Sequence, residues 1–178
     1  MARIGGIKRS MDRWKALAIF ANSKGDLTMP MEIKTIEDLH DVKVDELVEE
    51  SEAEGYRFLR RLVDQYEDGS NRFDKEGEVL FGVFDPRGKL IAIGGLNRDP
   101  YSTKEGIGRL RRFYIAKAAR REGVGTKLLQ KIVDFSKDYF GELVVRTDSS
   151  SADAFYRANG FTGDVNLPDV THRMVLTK

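Results

Sequence analysis

Seven consecutive residues, Arg120-Arg121-Glu122-Gly123-Val124-Gly125-Thr126, constrain this chain more than any other stretch. Before them, residues 109–116 alternate Arg109, Arg111 and Phe113 against Leu110, Arg112 and Tyr114, which is the period of a strand. After them, Leu128, Leu129, Ile132, Val133 and Phe135 recur at helical spacing and predict a helix with one buried stripe. A chain that passes from strand to helix through two glycines can turn its backbone N–H groups toward one spot, where the helix adds the positive end of its dipole. That arrangement is an anion cradle. It is not the dinucleotide fingerprint, because Leu128 stands where a third glycine would fall, nor a Walker loop, because Thr126 separates Gly125 from Lys127.

The remaining composition limits what can surround this loop. At 178 residues and 20.2 kDa the chain suits one domain with one core. A hydrophobic fraction of 40% and a charged fraction of 33% exclude a disordered chain and a membrane bundle. No apolar run reaches the roughly 20 residues that span a bilayer. With no cysteine there is no disulfide framework, thiolate metal site or cysteine nucleophile, and a cytoplasmic location is expected. No metal-binding constellation is present in the sequence. The net charge of +1 argues against a protein that coats nucleic acid. The charge is nonetheless segregated, with nine carboxylates against Lys43 over residues 37–54 and nine Lys/Arg against Glu105 and Glu122 over residues 104–131.

Residues 1–30 read as an N-terminal extension with a short amphipathic helix. Met11, Trp14, Leu17, Ala18 and Ala21 come after the cap Ser10, and residues 22–25 supply a stop. Residues 31–178 form the main domain. In it, residues 31–36 predict a strand, and Asp38 is placed to cap the next helix. Two helices run through Leu39, Val42, Leu47 and Val48 and through Tyr56, Leu59, Leu62, Val63 and Tyr66, broken near Gly55. Residues 78–85 and 90–97 predict a hairpin around Pro86-Arg87-Gly88-Lys89. Beyond the glycine loop and its helix come a strand at 142–147, a short helix at 151–159 stopped by Gly160, a strand beginning with Phe161 and Val165, and a last strand at 172–176. This order is neither a repeat nor a doubly wound sheet. It predicts an α/β chain of the α+β kind, a mixed sheet flanked by helices.

The loop pattern Arg120-x-x-Gly123-x-Gly125 and the later segment Ala152-Asp153-Ala154-Phe155-Tyr156-Arg157-Ala158-Asn159-Gly160-Phe161 together resemble the GNAT superfamily of acyl-CoA-dependent N-acyltransferases. The resemblance covers residues 31–178. It implies a mostly antiparallel central sheet, splayed between the strands at 109–116 and 142–147. It also implies an N-acetyltransferase that moves an acetyl group from acetyl-CoA to a primary amine by direct attack in a ternary complex, without a metal. Gly123 and the backbone N–H groups of Val124, Gly125 and Thr126, with Arg120 and Arg121 nearby, would then hold the CoA pyrophosphate. Phe113, Tyr114 and Ile115 would pair with pantetheine and leave an N–H for the thioester oxygen. Tyr156 would protonate or hydrogen-bond the departing sulfur, although a packed aromatic is the plainer reading of the same residue. Ser149, which stands where an asparagine often precedes the tyrosine-bearing helix, would by the same resemblance join the CoA-binding residues.

Arg109 occupies the position at which many relatives carry a glutamate base, so a non-catalytic CoA-binding or partner-binding module on the same fold stays open. Asp99 and Asp148 are the alternative bases, while His40 and His172 read as structural. The expected partner is a small-molecule or peptide amine, with a homodimer compatible and no nucleic-acid or membrane partner. Glu46, Glu49, Glu50, Glu52 and Glu54 border the acceptor side by the same resemblance. They read either as a lip that attracts a cationic amine or as the solvated face that a helix must expose.

Overall fold

The computed structural model describes residues 20–21, 27–28, 30–163 and 167–177. Phe20–Ala21 (β1) and Leu27–Thr28 (β2) form a short antiparallel pair. The expected N-terminal helix otherwise lies outside the described residues. Ala21, read as its last position, pairs with Leu27 instead.

The main sheet has six strands, β3 (Glu32–Thr35), β4 (Val79–Phe84), β5 (Leu90–Arg98), β6 (Ile107–Ile115), β7 (Glu142–Val145) and β8 (His172–Val175), adjacent in chain order. All neighbours are antiparallel except β6 and β7. Those two run parallel because a helix, α3 (Val124–Ser136), carries the chain across between them. The β4–β5 hairpin forms where the turn residues demand it, with Asp85 Oδ1 accepting from the N–H groups of Arg87 and Lys89.

Helices α1 (Asp45–Ala53) and α2 (Phe58–Glu67) cover one face of the sheet. The first helix starts later than its periodicity predicts. Asp38 does act as a cap, accepting from the His40 N–H at 2.9 Å, but the turn it caps is a 3-10 turn at Leu39–Asp41. Val42 then returns to extended backbone, which ends that turn before α1 can begin. On the other face, α3 and α4 (Ser150–Ala158) pack through Leu128, Ile132 and Phe155. Leu59, Ile93, Leu96, Leu128, Ile132 and Leu143 are fully enclosed, each contributing about 1.5–3 kcal/mol by leaving water.

An irregularity in β6 sets which side chains face which side of the sheet. Ile93 of β5 pairs with Tyr114, whereas Gly95 pairs with Arg111, so β6 holds one extra residue there. Arg112 takes φ +58 at this bulge. The strict alternation expected over residues 109–116 therefore breaks, and the faces are reassigned beyond it. Phe113 turns to α3 and α4, and Tyr114 to α1 and α2. At the C-terminal end, Gly160 at φ +90 stops α4 as expected. The strand expected from Phe161 is reduced among the described residues to one bridge, Thr162 with Arg173.

Candidate active site

The glycine loop meets α3 in an open geometry. Gly123 is the N-cap of α3 in the left-handed region, at φ +77, and no side chain caps the helix. A side chain at Gly123 would meet nothing within 4 Å, so what the position requires is the left-handed conformation and open space beside it. Gly125 has a different reason, since a Cβ there would lie 3.3 Å from the Phe155 ring. Its absence lets the first turn of α3 approach α4. The first N–H groups of α3, on Val124, Gly125 and Thr126, precede the first intrahelical bond, Lys127 N–H to Gly123 O at 3.0 Å. They suit a phosphate oxygen, and Arg121 is exposed beside them.

The loop lies at the end of a gap in the sheet. β6 and β7 pair at Ile107, Gly108 and Arg109, opposite Glu142, Leu143 and Val144. β6 then continues to Ile115 without β7, leaving the edge at Phe113, Tyr114 and Ile115 unpaired on that side. Tyr156 bridges this opening from α4. Its ring lies 6.3 Å from Phe113 on the free part of β6 and 5.8 Å from His172 at the start of β8. It is 5% exposed, and its hydroxyl makes no hydrogen bond among the described residues. Burial pushes its pKa up, which keeps the phenol protonated and able to donate. Ser149 is the N-cap of α4, and its hydroxyl is taken up there by Ala152 N–H at 3.4 Å and Ser151 Oγ at 2.8 Å.

Across the sheet, the Tyr114 hydroxyl donates to Glu54 Oε2 at 2.6 Å and lies 2.9 Å from Glu50 Oε1. Glu50 also accepts from the Lys117 N–H at 2.8 Å. Arg120, expected beside the pyrophosphate, is turned away from it. Its two terminal nitrogens donate to Glu54 at 2.9 and 2.6 Å, and its Nε donates to Ile115 O at 3.0 Å. The Arg120 guanidinium holds the Glu54 carboxyl down to about 2. Burial, then the bonds to Glu54 and Glu50, push the Tyr114 phenol up. Glu46 pairs with Lys89 at the surface and Glu52 with Arg60, so four of the five glutamates read as an acidic lip have partners within the chain.

Of the two aspartates considered as a base, Asp99 does not stand free. Asp99 is 2.6 Å from Arg109 Nε, and the two side chains are only 5% and 4% exposed. Asp148 is exposed and lies 3.8 Å from Arg146. His40 sits between Asp38 and Glu67 at the surface. His172 is buried, with Nε2 2.8 Å from Asp153 Oδ1 and Nδ1 2.9 Å from Thr171 Oγ1, and so ties α4 to β8. A cavity of about 430 Å³ opens beside this tie, lined in part by Ser149, Asp153 and His172. No group of three metal-ligating side chains occurs among the described residues. Nor is any helix among them long and apolar enough to cross a membrane. The Asp153–His172 tie was not legible in the sequence, because no local spacing links a helical aspartate to a strand residue 19 positions on.

A mostly antiparallel sheet that parts between its two parallel strands, with an uncapped helix start at the opening, is the architecture that the resemblance to the GNAT superfamily implies. The profile of the acetyltransferase (GNAT) family matches residues 37–161, and the chain belongs to that family. It is similar to the solved structure of a protein assigned as an acetyltransferase from Exiguobacterium sp. 255-15, at 26% identity and TM-score 0.74, over 83% of this chain and 94% of that one. An acetyltransferase from Streptococcus agalactiae 2603 shares the fold at 19% identity and TM-score 0.63, over 82% and 98% of the two chains. Glucosamine-6-phosphate N-acetyltransferase from Arabidopsis thaliana shares it at 16% identity and TM-score 0.54, over 78% and 95%. No curated protein matches the sequence at a significant level.

Proposed function

We propose that the protein transfers an acetyl group from acetyl-CoA to a primary amine by direct attack within a ternary complex in the cytoplasm. The observation that carries this reading is the uncapped start of α3 at Gly123, opening beside the gap that Tyr156 spans. The N–H groups of Val124, Gly125 and Thr126 bind the pyrophosphate, with Arg121 supplying charge. The amine nitrogen forms a bond to the thioester carbonyl carbon while the carbonyl oxygen takes negative charge. A backbone N–H on the unpaired edge of β6 stabilises that oxyanion. On collapse the carbon–sulfur bond breaks, the sulfur takes the electron pair, and the Tyr156 phenol gives it a proton. The proton lost by the amine nitrogen returns to the phenolate through solvent. With Arg109 bound to Asp99, the route for that proton is water rather than a carboxylate on β6.

Calorimetry with CoA, alongside thiol release from acetyl-CoA across a panel of amines, tests the proposal. An aspartate at position 123 tolerates the left-handed conformation yet sets a negative charge at the cradle, so Gly123→Asp should remain folded and lose at least about 10²-fold in CoA affinity. Unchanged affinity would remove the cradle. Tight CoA binding with no turnover of any amine would leave a binding module in place of an enzyme.

A further inference from the structure

Three charged residues are buried among the described residues, Arg109, Arg112 and Glu142. Arg109 meets Asp99, and Glu142 meets Arg173 at 3.2 Å. Arg112, only 9% exposed, meets no carboxylate. Its Nη2 donates to the neutral Gln65 Oε1 at 2.7 Å, and its Nε is buried without any partner. The charged groups around it are cations, Arg61 of α2 and Arg111 of β6, with the Tyr101 hydroxyl as the further titratable neighbour. Burial, then Arg111 and Arg61, lower its pKa to about 10, which still leaves it charged at neutral pH. A desolvated guanidinium with an orphaned donor is a costly arrangement that proteins ordinarily relieve with a carboxylate.

The position of this charge is as informative as its lack of a partner. Arg112 lies three residues beyond Arg109, the last residue of β6 that pairs with β7, so it stands along the open stretch of the strand. The bulge directs it to α2, while the next residue, Phe113, faces Tyr156 on the other side. The Arg112 guanidinium therefore lies on the α1/α2 face of β6, opposite the α3/α4 face from which Tyr156 meets Phe113. The Nε–Nη2 edge of a guanidinium matches the two oxygens of a carboxylate or phosphate, and such a ligand would meet the free Nε–H while replacing the neutral Gln65 oxygen at Nη2.

We infer that Arg112, flanked by Arg61 and Arg111, is the recognition site for an oxyanion, a carboxylate or phosphate, carried by the acceptor amine. This rests on the acetyl-transfer reading and names the substrate class for it, an amine that bears its own anion rather than a polyamine. The paired state of Glu46, Glu50, Glu52 and Glu54 agrees, since little free negative charge remains to draw a dication.

The test compares thiol release from acetyl-CoA with a series of ω-amino acids, their carboxamides, 2-aminoethyl phosphate and putrescine, in wild type, Arg112→Gln and Arg112→Lys. CoA calorimetry serves as the check on folding. The expected result is a kcat/KM for the best acid roughly 10²-fold above that of its carboxamide, falling to near unity in Arg112→Gln and partly restored in Arg112→Lys. The acid and phosphate arms decide which oxyanion is preferred. In parallel, the Arg112 Nε–H resonance, assigned by its loss in Arg112→Gln, should shift on addition of the acid and not of the carboxamide. Turnover indifferent to the anion, or a preference that survives Arg112→Gln, would overturn the anion site and leave acetyl transfer standing. A resonance shift without thiol release would support the anion site and overturn the transfer reading. Neither shift nor turnover would overturn both.

Discussion

Arg109 and Arg112 stand three residues apart on one strand, both buried, and they differ in almost everything else. Arg109 has a carboxylate at 2.6 Å, a carbonyl at 2.8 Å from Asp169, and the Tyr101 ring 4.8 Å from its guanidinium. Arg112 has one amide oxygen and a donor with no acceptor. The first is a closed set of bonds that holds the end of β6 against the 99–101 loop, and the second is a charge with its complement missing. The same contrast separates the two halves of the charge pattern. The glutamates of α1 and its C-cap Glu54 look like a binding lip in the sequence, yet in the fold they are mostly bonded to Tyr114, Lys117, Arg120, Lys89 and Arg60. Abundance of like charge along a chain says little about function. An unmet charge in a buried place says more.

The contrast can be broken by making one substitution at both arginines. Arg109→Met would strand Asp99 in a buried site, and we expect a loss of about 3–5 kcal/mol in a urea titration. At Glu54, the carboxyl is held at about 2 against an ordinary 4.5, so its contribution to stability is full above pH 4.5 and disappears as the pH falls through about 2. The shift converts to about 3 kcal/mol at most, and because Arg120 is 39% exposed, solvent screening reduces the expected loss in Glu54→Gln to about 1–2 kcal/mol. That loss should be constant above pH 5 and shrink toward pH 2. For Arg112→Met we expect a stability within about 1 kcal/mol of wild type, on either side, because the cost of an unpaired charge is removed with the charge. Equal losses at Arg109 and Arg112 would erase the distinction between them. Last, Glu49→Gln, at the exposed position of α1, should change stability by less than about 0.5 kcal/mol.

Much of the frame is legible in the amino-acid sequence. The glycine loop, the hairpin at Asp85 and the stop at Gly160 are fixed by backbone chemistry that only a few residue types supply, so they read directly from the chain. The helix stripe of α3 is visible for a similar reason, since its buried face recurs at one spacing. What fails to show depends on pairing between distant segments. The bulge at Arg112 arises from the register of β5 against β6, and a period-two reading of residues 109–116 has no means of seeing the extra residue. Arg112 and Tyr114 still share a face opposite Phe113, but the slip puts them out of step with the start of the strand. Arg120 belongs to the cradle by its place in a motif, but Glu54, 66 residues earlier in the chain, claims its guanidinium. Tyr156 and the loop can be reached from the sequence, whereas the charge that distinguishes the acceptor side cannot.

The proposed chemistry rests on Tyr156 as proton donor to the departing sulfur, and one comparison reaches it without intermediaries. Thiol release from acetyl-CoA should be measured for wild type and Tyr156→Phe with the same amine, with CoA affinity determined by calorimetry for both. A phenylalanine preserves the contacts to Phe113, Phe155, Phe161 and His172 while removing only the hydroxyl. We expect kcat to fall by roughly 10²-fold at nearly unchanged CoA affinity. Equal kcat in the two proteins would contradict the account and leave Tyr156 a packing residue in the gap.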